Sequence, residues 1–188
     1  MLIIGITGTI GAGKGTVVDY LTTRYGFKHY SVRNYLTELL RLKGIEPNRD
    51  HFTELANSLR EKNNSPSFII EELYRTAALH GGNAIIESIR TVGEIDKLKT
   101  LGNFILLAVD AEQSLRYQRA FARNSETDAI GYEKFKSDEE REMSSNNPNN
   151  QNLAGCIARA DFTIVNNSGL PELHKVVDLI MKQIAKAE

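Results

Sequence analysis

One uninterrupted segment carries the most specific chemistry in the chain: Gly8, Thr9, Ile10, Gly11, Ala12, Gly13, Lys14, Gly15 and Thr16. Glycines at this density let successive backbone N–H groups turn toward one anion, and a helix starting near Lys14 adds the positive end of its dipole. Lys14 can then reach the β- and γ-phosphates of a nucleoside triphosphate such as ATP. Gly15 stands where a general phosphate loop places a serine or threonine hydroxyl on magnesium, so direct metal ligation from that position is excluded. The acidic candidate for Mg2+ is Glu87, at the end of a predicted strand on the sheet edge where ligands of open α/β folds bind. Arg116, Arg119 and Arg123 recur at i, i+3 and i+7 and therefore share one helical face. Arg119 and Arg123 are read as the pair that neutralises a transferring phosphoryl group, whose oxygens match guanidinium forks. Arg116 can join them or belong to a basic face paired with the acidic stretch that follows, and Arg141, amid Asp138, Glu139 and Glu140, reads as a surface ion pair.

These residues need a scaffold, and the hydrophobic pattern supplies one. Leu2 to Thr7 is a short apolar run that predicts a strand buried on both faces, and Val17, Val18, Leu21 and Tyr25 predict a helix from Lys14 to about Tyr25. A short strand over residues 27–31 is followed by three helical patterns: one from Val32 to about Gly44, one capped by Asp50, and one opening at Ser65-Pro66 and ending near His80. Further strands are predicted at 84–88, 103–109 and 161–165, with helices at about 92–101, 112–123 and beyond Leu173. Residues 124–143 are helix-compatible and acidic, and Ser144 to Asn152 has almost nothing to bury, which suggests a lid over about 119–150 with a mobile hinge. Strands alternating with helices predict a parallel sheet covered on both faces, in a single domain over residues 1–188, with a lateral helical region at about 32–80.

Composition narrows the class. With 41% hydrophobic and 25% charged residues, the 188-residue chain can bury a proper core, which excludes disorder as its main state. The balance of 23 basic against 24 acidic side chains provides no global field for nucleic acid or an acidic membrane. Cys156 is the lone cysteine, so neither an internal disulfide nor a cysteine-based zinc site can form. No long apolar run or basic leader is present, and the expectation is a cytoplasmic protein, monomeric or weakly dimeric, with no nucleic-acid or membrane partner.

The Gly-Lys-Gly-Thr form of the loop resembles adenylate kinase and other nucleoside monophosphate kinases, and Ala160 to Gly169 together with the loop is also similar to dephospho-coenzyme A kinase. The resemblance implies a P-loop NTP hydrolase fold, with a five-stranded parallel sheet in the order 2-3-1-4-5, an acceptor-binding helical region and a lid. It gives Thr16 to the phosphates and, with Glu87, to the metal. Glu87-Ser88-Ile89-Arg90 resembles an Asp-Gly-x-Arg segment in which the arginine binds the acceptor phosphate, which assigns that role to Arg90. The loop containing Asn167 and Gly169 would embrace a purine. Ser31, Arg33, Tyr35, Arg41 and Arg60 are acceptor candidates without distinguishing spacing. Residues 28–35 lack the aspartate expected of a kinase acting on a ribose hydroxyl, so a nucleoside monophosphate-type acceptor is favoured, with His29 as a conceivable base in the alternative. A nucleotide-dependent ATPase switch is the other reading, and it could dispense with Arg90.

Overall fold

In a computed structural model that describes residues 1–123 and 131–187, β1 (Leu2–Gly8) is buried along its whole length. It is followed by α1 (Lys14–Tyr25), β2 (Lys28–Ser31), α2 (Val32–Leu42), α3 (Arg49–Lys62), α4 (Phe68–His80), β3 (Ala84–Glu87), α5 (Val92–Leu101) and β4 (Asn103–Asp110). The chain continues through α6 (Gln113–Ala122), α7 (Tyr132–Met143), α8 (Leu153–Ala158), β5 (Phe162–Val165) and α9 (Leu170–Ala187). The strands form one parallel sheet in the order β2-β3-β1-β4-β5, as the resemblance implies. A central strand must be apolar on both faces, and β1 divides its side chains accordingly. Leu2, Ile4 and Ile6 pack with Val17, Leu21, Val177 and Ile180 from α1 and α9. Ile3 packs on the opposite face among Leu36, Ile69, Leu98 and Cys156. Gly5 shares that second face, and a Cβ there would lie 2.6 Å from both Ile89 and Phe104 side chains, so the glycine gives the two faces room to close.

Three helices, α2 to α4, follow one another in the chain and pack together over residues 32–80. The cap of α3 is Asn48, whose side chain accepts from the His51 N–H at 2.8 Å, and Asp50 sits inside the first turn, where its charge suits the helix dipole. Of the expected lid, residues 124–130 lie outside the described residues, and the rest contains the helix α7. Residues 144–152, read as a mobile hinge, are anchored to the site: the Asn152 N–H donates to Arg90 O at 2.8 Å, and Arg60 reaches Asn149 O. Asn152 then caps α8, a helix of six residues too short to announce itself by periodicity. Among the described residues no helix is long and apolar enough to cross a membrane.

Candidate active site

The turn from β1 to α1 owes its shape to glycine. Gly11 (φ 74°) lies against the backbone of Arg116, and Gly13 (φ 98°) lies against the Asn166 amide, so a Cβ at either position would meet both a positive φ and an occupied space. Gly13 is the N-cap of α1, which leaves the first N–H groups of that helix free of side-chain caps and directed at the loop. The Lys14 ammonium folds back to donate to Gly8 O at 3.0 Å and Thr9 O at 2.7 Å. Desolvation in the cleft, aided by the Arg90 charge, pushes its pKa down to about 7. Thr9 donates through Oγ1 to Asp110 Oδ1 at 2.6 Å, which ties the loop to the end of β4.

A cleft of about 650 Å³ opens over this loop. Ile10, Gly11, Gly13, Lys14, Gly15 and Thr16 line it; Gly8, Thr9 and Ala12 do not, and their backbone carbonyls accept from Lys14 and Asn166. Glu87, Arg90, Arg119 and Arg123, residues far apart in sequence, line the same cleft. Burial would raise the Glu87 carboxyl pKa, but a hydrogen bond with His29 at 3.1 Å and the charges of Lys14 and Arg90 outweigh it and hold it below the ordinary value. Ser88, which follows, has φ 72°, a left-handed conformation that glycine adopts freely and other residues rarely. The Ser88 and Ile89 N–H groups both donate to Ile6 O, at 3.0 and 3.1 Å, and this fastens the unusual turn to β1. Arg119 lies beside the loop and donates to Asn166 O at 2.8 Å.

Other assignments change. Arg116 does not face the cleft with its two neighbours on the stripe; it is buried, donates to Ala111 O and Ile10 O, and pairs with Glu139 and Asp110. Its role is to bind α6, the phosphate loop and α7 together. Asn167 and Gly169 do not line the cleft. Asn167 accepts from the Glu112 N–H, while its neighbour Asn166 is buried and donates to Ala12 O at 2.8 Å, bracing the loop from behind. Arg141, by contrast, forms an ion pair as its acidic surroundings suggest, with Asp50 and Asp138.

In the acceptor region, Arg33 lines the cleft with its guanidinium 5.3 Å above the Phe52 ring, and Arg60 lines it while bound to Glu94 at 2.8 Å. Ser31 instead caps α2, Tyr35 packs into the core, and Arg41 is exposed. Arg49, missed by sequence reading, also lines the cleft. The available signal was an arginine in the first turn of a helix, where the dipole disfavours a cation unless an anion faces it. Cys156 is buried in the core and its thiol pKa is pushed up to about 12 by burial, as suits a packing residue.

A family model described as an AAA domain matches residues 4–145, from β1 through α7. The chain belongs to this AAA-domain family. The AAA-domain chain is 28% identical over 187 residues to a UPF0200 protein of Sulfurisphaera tokodaii, covering 97% of each chain. It is 25% identical over 183 residues to a UPF0200 protein of Hyperthermus butylicus, covering 97% of this chain and 95% of that one. Among solved structures it is similar to TT1252 from Thermus thermophilus, with a TM-score of 0.59, 21% identity and 97% of each chain covered. It is also similar to a shikimate kinase from Acinetobacter baumannii solved with shikimate, with a TM-score of 0.53, 17% identity, and 100% and 95% of the two chains covered. This AAA-domain protein thus has the P-loop kinase fold.

Proposed function

We propose that the protein is an ATP-dependent phosphotransferase that moves the γ-phosphoryl group to a small nucleotide-like acceptor, of nucleoside monophosphate type. The observation that carries the reading is one cleft that holds the phosphate loop with Lys14 and, facing it, Arg90. A phosphate acceptor is already ionised near neutral pH and needs positioning and charge neutralisation, which are what these residues offer. Lys14 exchanges the Gly8 and Thr9 carbonyls for the β- and γ-phosphates, Arg119 and Arg123 neutralise charge on the transferred group, and Arg90 holds the acceptor. His29 belongs to the alternative reading with a hydroxyl acceptor, but it does not line the cleft.

Among the described residues no group of three or more histidine, cysteine or acidic side chains could hold a metal by itself. The residues fit a magnesium ion that arrives with the nucleotide, because Mg2+ keeps several waters and needs one or two protein oxygens. Glu87, held ionised, and Thr16 would supply them from the cleft wall. The bound ion would neutralise charge on the β- and γ-phosphates.

Incubating the protein with ATP, Mg2+ and a panel of nucleoside monophosphates, deoxynucleoside monophosphates and dephospho-coenzyme A tests the reading through ADP release. Turnover with a monophosphate is expected; ADP release that no acceptor stimulates would point to an ATPase switch. The depressed pKa of Lys14 has its own consequence. Near pH 7 about half of the free protein carries a neutral Lys14, and polyphosphate favours the ammonium, so binding above that pH takes up a proton. ATP affinity should weaken by up to about tenfold per pH unit as pH rises from 7 toward the pKa of the complex. Calorimetry at pH 8 in buffers of different ionisation heat should show uptake approaching one proton; none would mean that Lys14 is already charged in the free protein.

A further inference from the structure

The sequence of α7 contains little that is apolar, yet it buries Phe135, Asp138, Glu139 and Glu142. Phe135 sits against Ile10, Tyr117 and Ala120, and each buried acid meets cations. Such a helix is docked by charge as much as by hydrophobic area, so its position answers to the charge of whatever occupies the adjoining cleft.

Glu139 is occupied away from the cleft, by Arg116 and by Gln113 at 2.7 Å. Asp138 is held within α7 by Lys134 at 2.7 Å and Arg141 at 3.3 Å, and it reaches Arg49 of the cleft only at 3.7 Å. Glu142 differs: it lines the cleft itself, between Arg49 and Arg90. Arg49 donates to Glu142 Oε1 from both Nε and Nη2 at 3.1 Å, and Arg90 donates to Oε2. One carboxylate thus divides its two oxygens between two guanidinium groups. Burial would raise its pKa, but Arg90 and Arg49 keep it lowered and ionised.

From this geometry we propose that Arg49 and Arg90 form the seat for the phosphomonoester of the acceptor, and that Glu142 is an internal occupant which the acceptor displaces. The inference rests on the phosphate-bearing acceptor proposed above and adds Arg49 and the competitor to it. A phosphomonoester presents the same forks with three oxygens and up to two negative charges, where Glu142 presents two oxygens and one charge. Arg49 stands at the start of α3, where the helix dipole opposes a cation and a second negative charge in the seat relieves it. Arg90 also donates to Gln151 Oε1 at 3.2 Å and accepts at its backbone from Asn152, so a change at the seat reaches the segment that follows α7. In this arrangement α7 is docked while the seat lacks an acceptor and is released as the phosphate enters.

The test uses the full chain with inorganic phosphate and AMP as probes. Glu142→Gln keeps the shape and removes the competing charge, and should bind inorganic phosphate about tenfold tighter or more than the parent; Arg49→Ala should bind it at least about tenfold more weakly. Phosphate should raise hydrogen exchange across residues 132–143 of the parent. Equal phosphate affinity in the parent and Glu142→Gln, or added protection of 132–143, would overturn the proposal. If Glu142→Gln does not fold, Glu142→Asp, whose shorter carboxylate cannot span both forks, should still bind phosphate more tightly than the parent, and no gain would count against the seat. Competition with inorganic phosphate but no turnover of any monophosphate would uphold the seat and remove the kinase reading. Turnover with Glu142→Gln unchanged in phosphate affinity and acceptor KM would do the reverse.

Discussion

Lys14→Ala is expected to lower kcat for phosphoryl transfer by about a thousandfold, the scale of losing a preorganised charge aimed at a developing negative centre. Its effect on folding should be small by comparison. In the free protein the ammonium satisfies only the Gly8 and Thr9 carbonyls, and its pKa of about 7 shows that the cleft disfavours its charge. Removing a cation that the fold already penalises costs little stability, so thermal unfolding should shift by a few degrees at most. The measurement is kcat at saturating ATP alongside a melting curve. Full turnover in a folded variant would remove the phosphate-loop assignment, because among the described residues no other lysine lines the cleft.

Arg90→Ala should raise the KM for a monophosphate acceptor by about ten- to a hundredfold, as the loss of a charge-assisted hydrogen bond to phosphate implies. It should also lower kcat, since an acceptor that is bound but misaligned reacts slowly. The variant leaves Glu142 with Arg49 as its partner, so some loss of thermal stability is expected with it, and KM is therefore compared below the onset of unfolding. His29→Ala is the control. His29 touches Glu87 but does not line the cleft, and a phosphate acceptor needs no base, so its KM and kcat should change less than about threefold. An essential His29 with a dispensable Arg90, and dephospho-coenzyme A as the sole acceptor, would establish hydroxyl phosphorylation on the same fold.

Local chemistry explains which parts of this protein are legible in its sequence. The phosphate loop is built by consecutive residues, and each backbone demand at Gly11 and Gly13 is visible as a glycine. The strand runs of β1, β3 and β4 are apolar on both faces, which marks a covered parallel sheet, and Glu87 ends β3 beside the cleft. Ser88 occupies a left-handed conformation that glycine would adopt at less cost.

The sequence by itself therefore determined the glycine-rich loop between β1 and α1, the class of sheet and the succession of helices α2 to α4. Only the tertiary structure decided how the remaining charges were spent. Arg116 shares a helical stripe with Arg119 and Arg123, yet Glu139 draws it away from the cleft. Asn166 braces the loop while the adjacent Asn167 turns to Glu112. Arg49, Arg90 and Glu142 meet from α3, the turn after β3, and α7. Periodicity reports which face of an element is apolar because burial of hydrocarbon has no direction. The partner of a charge depends on which distant side chain arrives within hydrogen-bond reach, and that is settled when the elements pack.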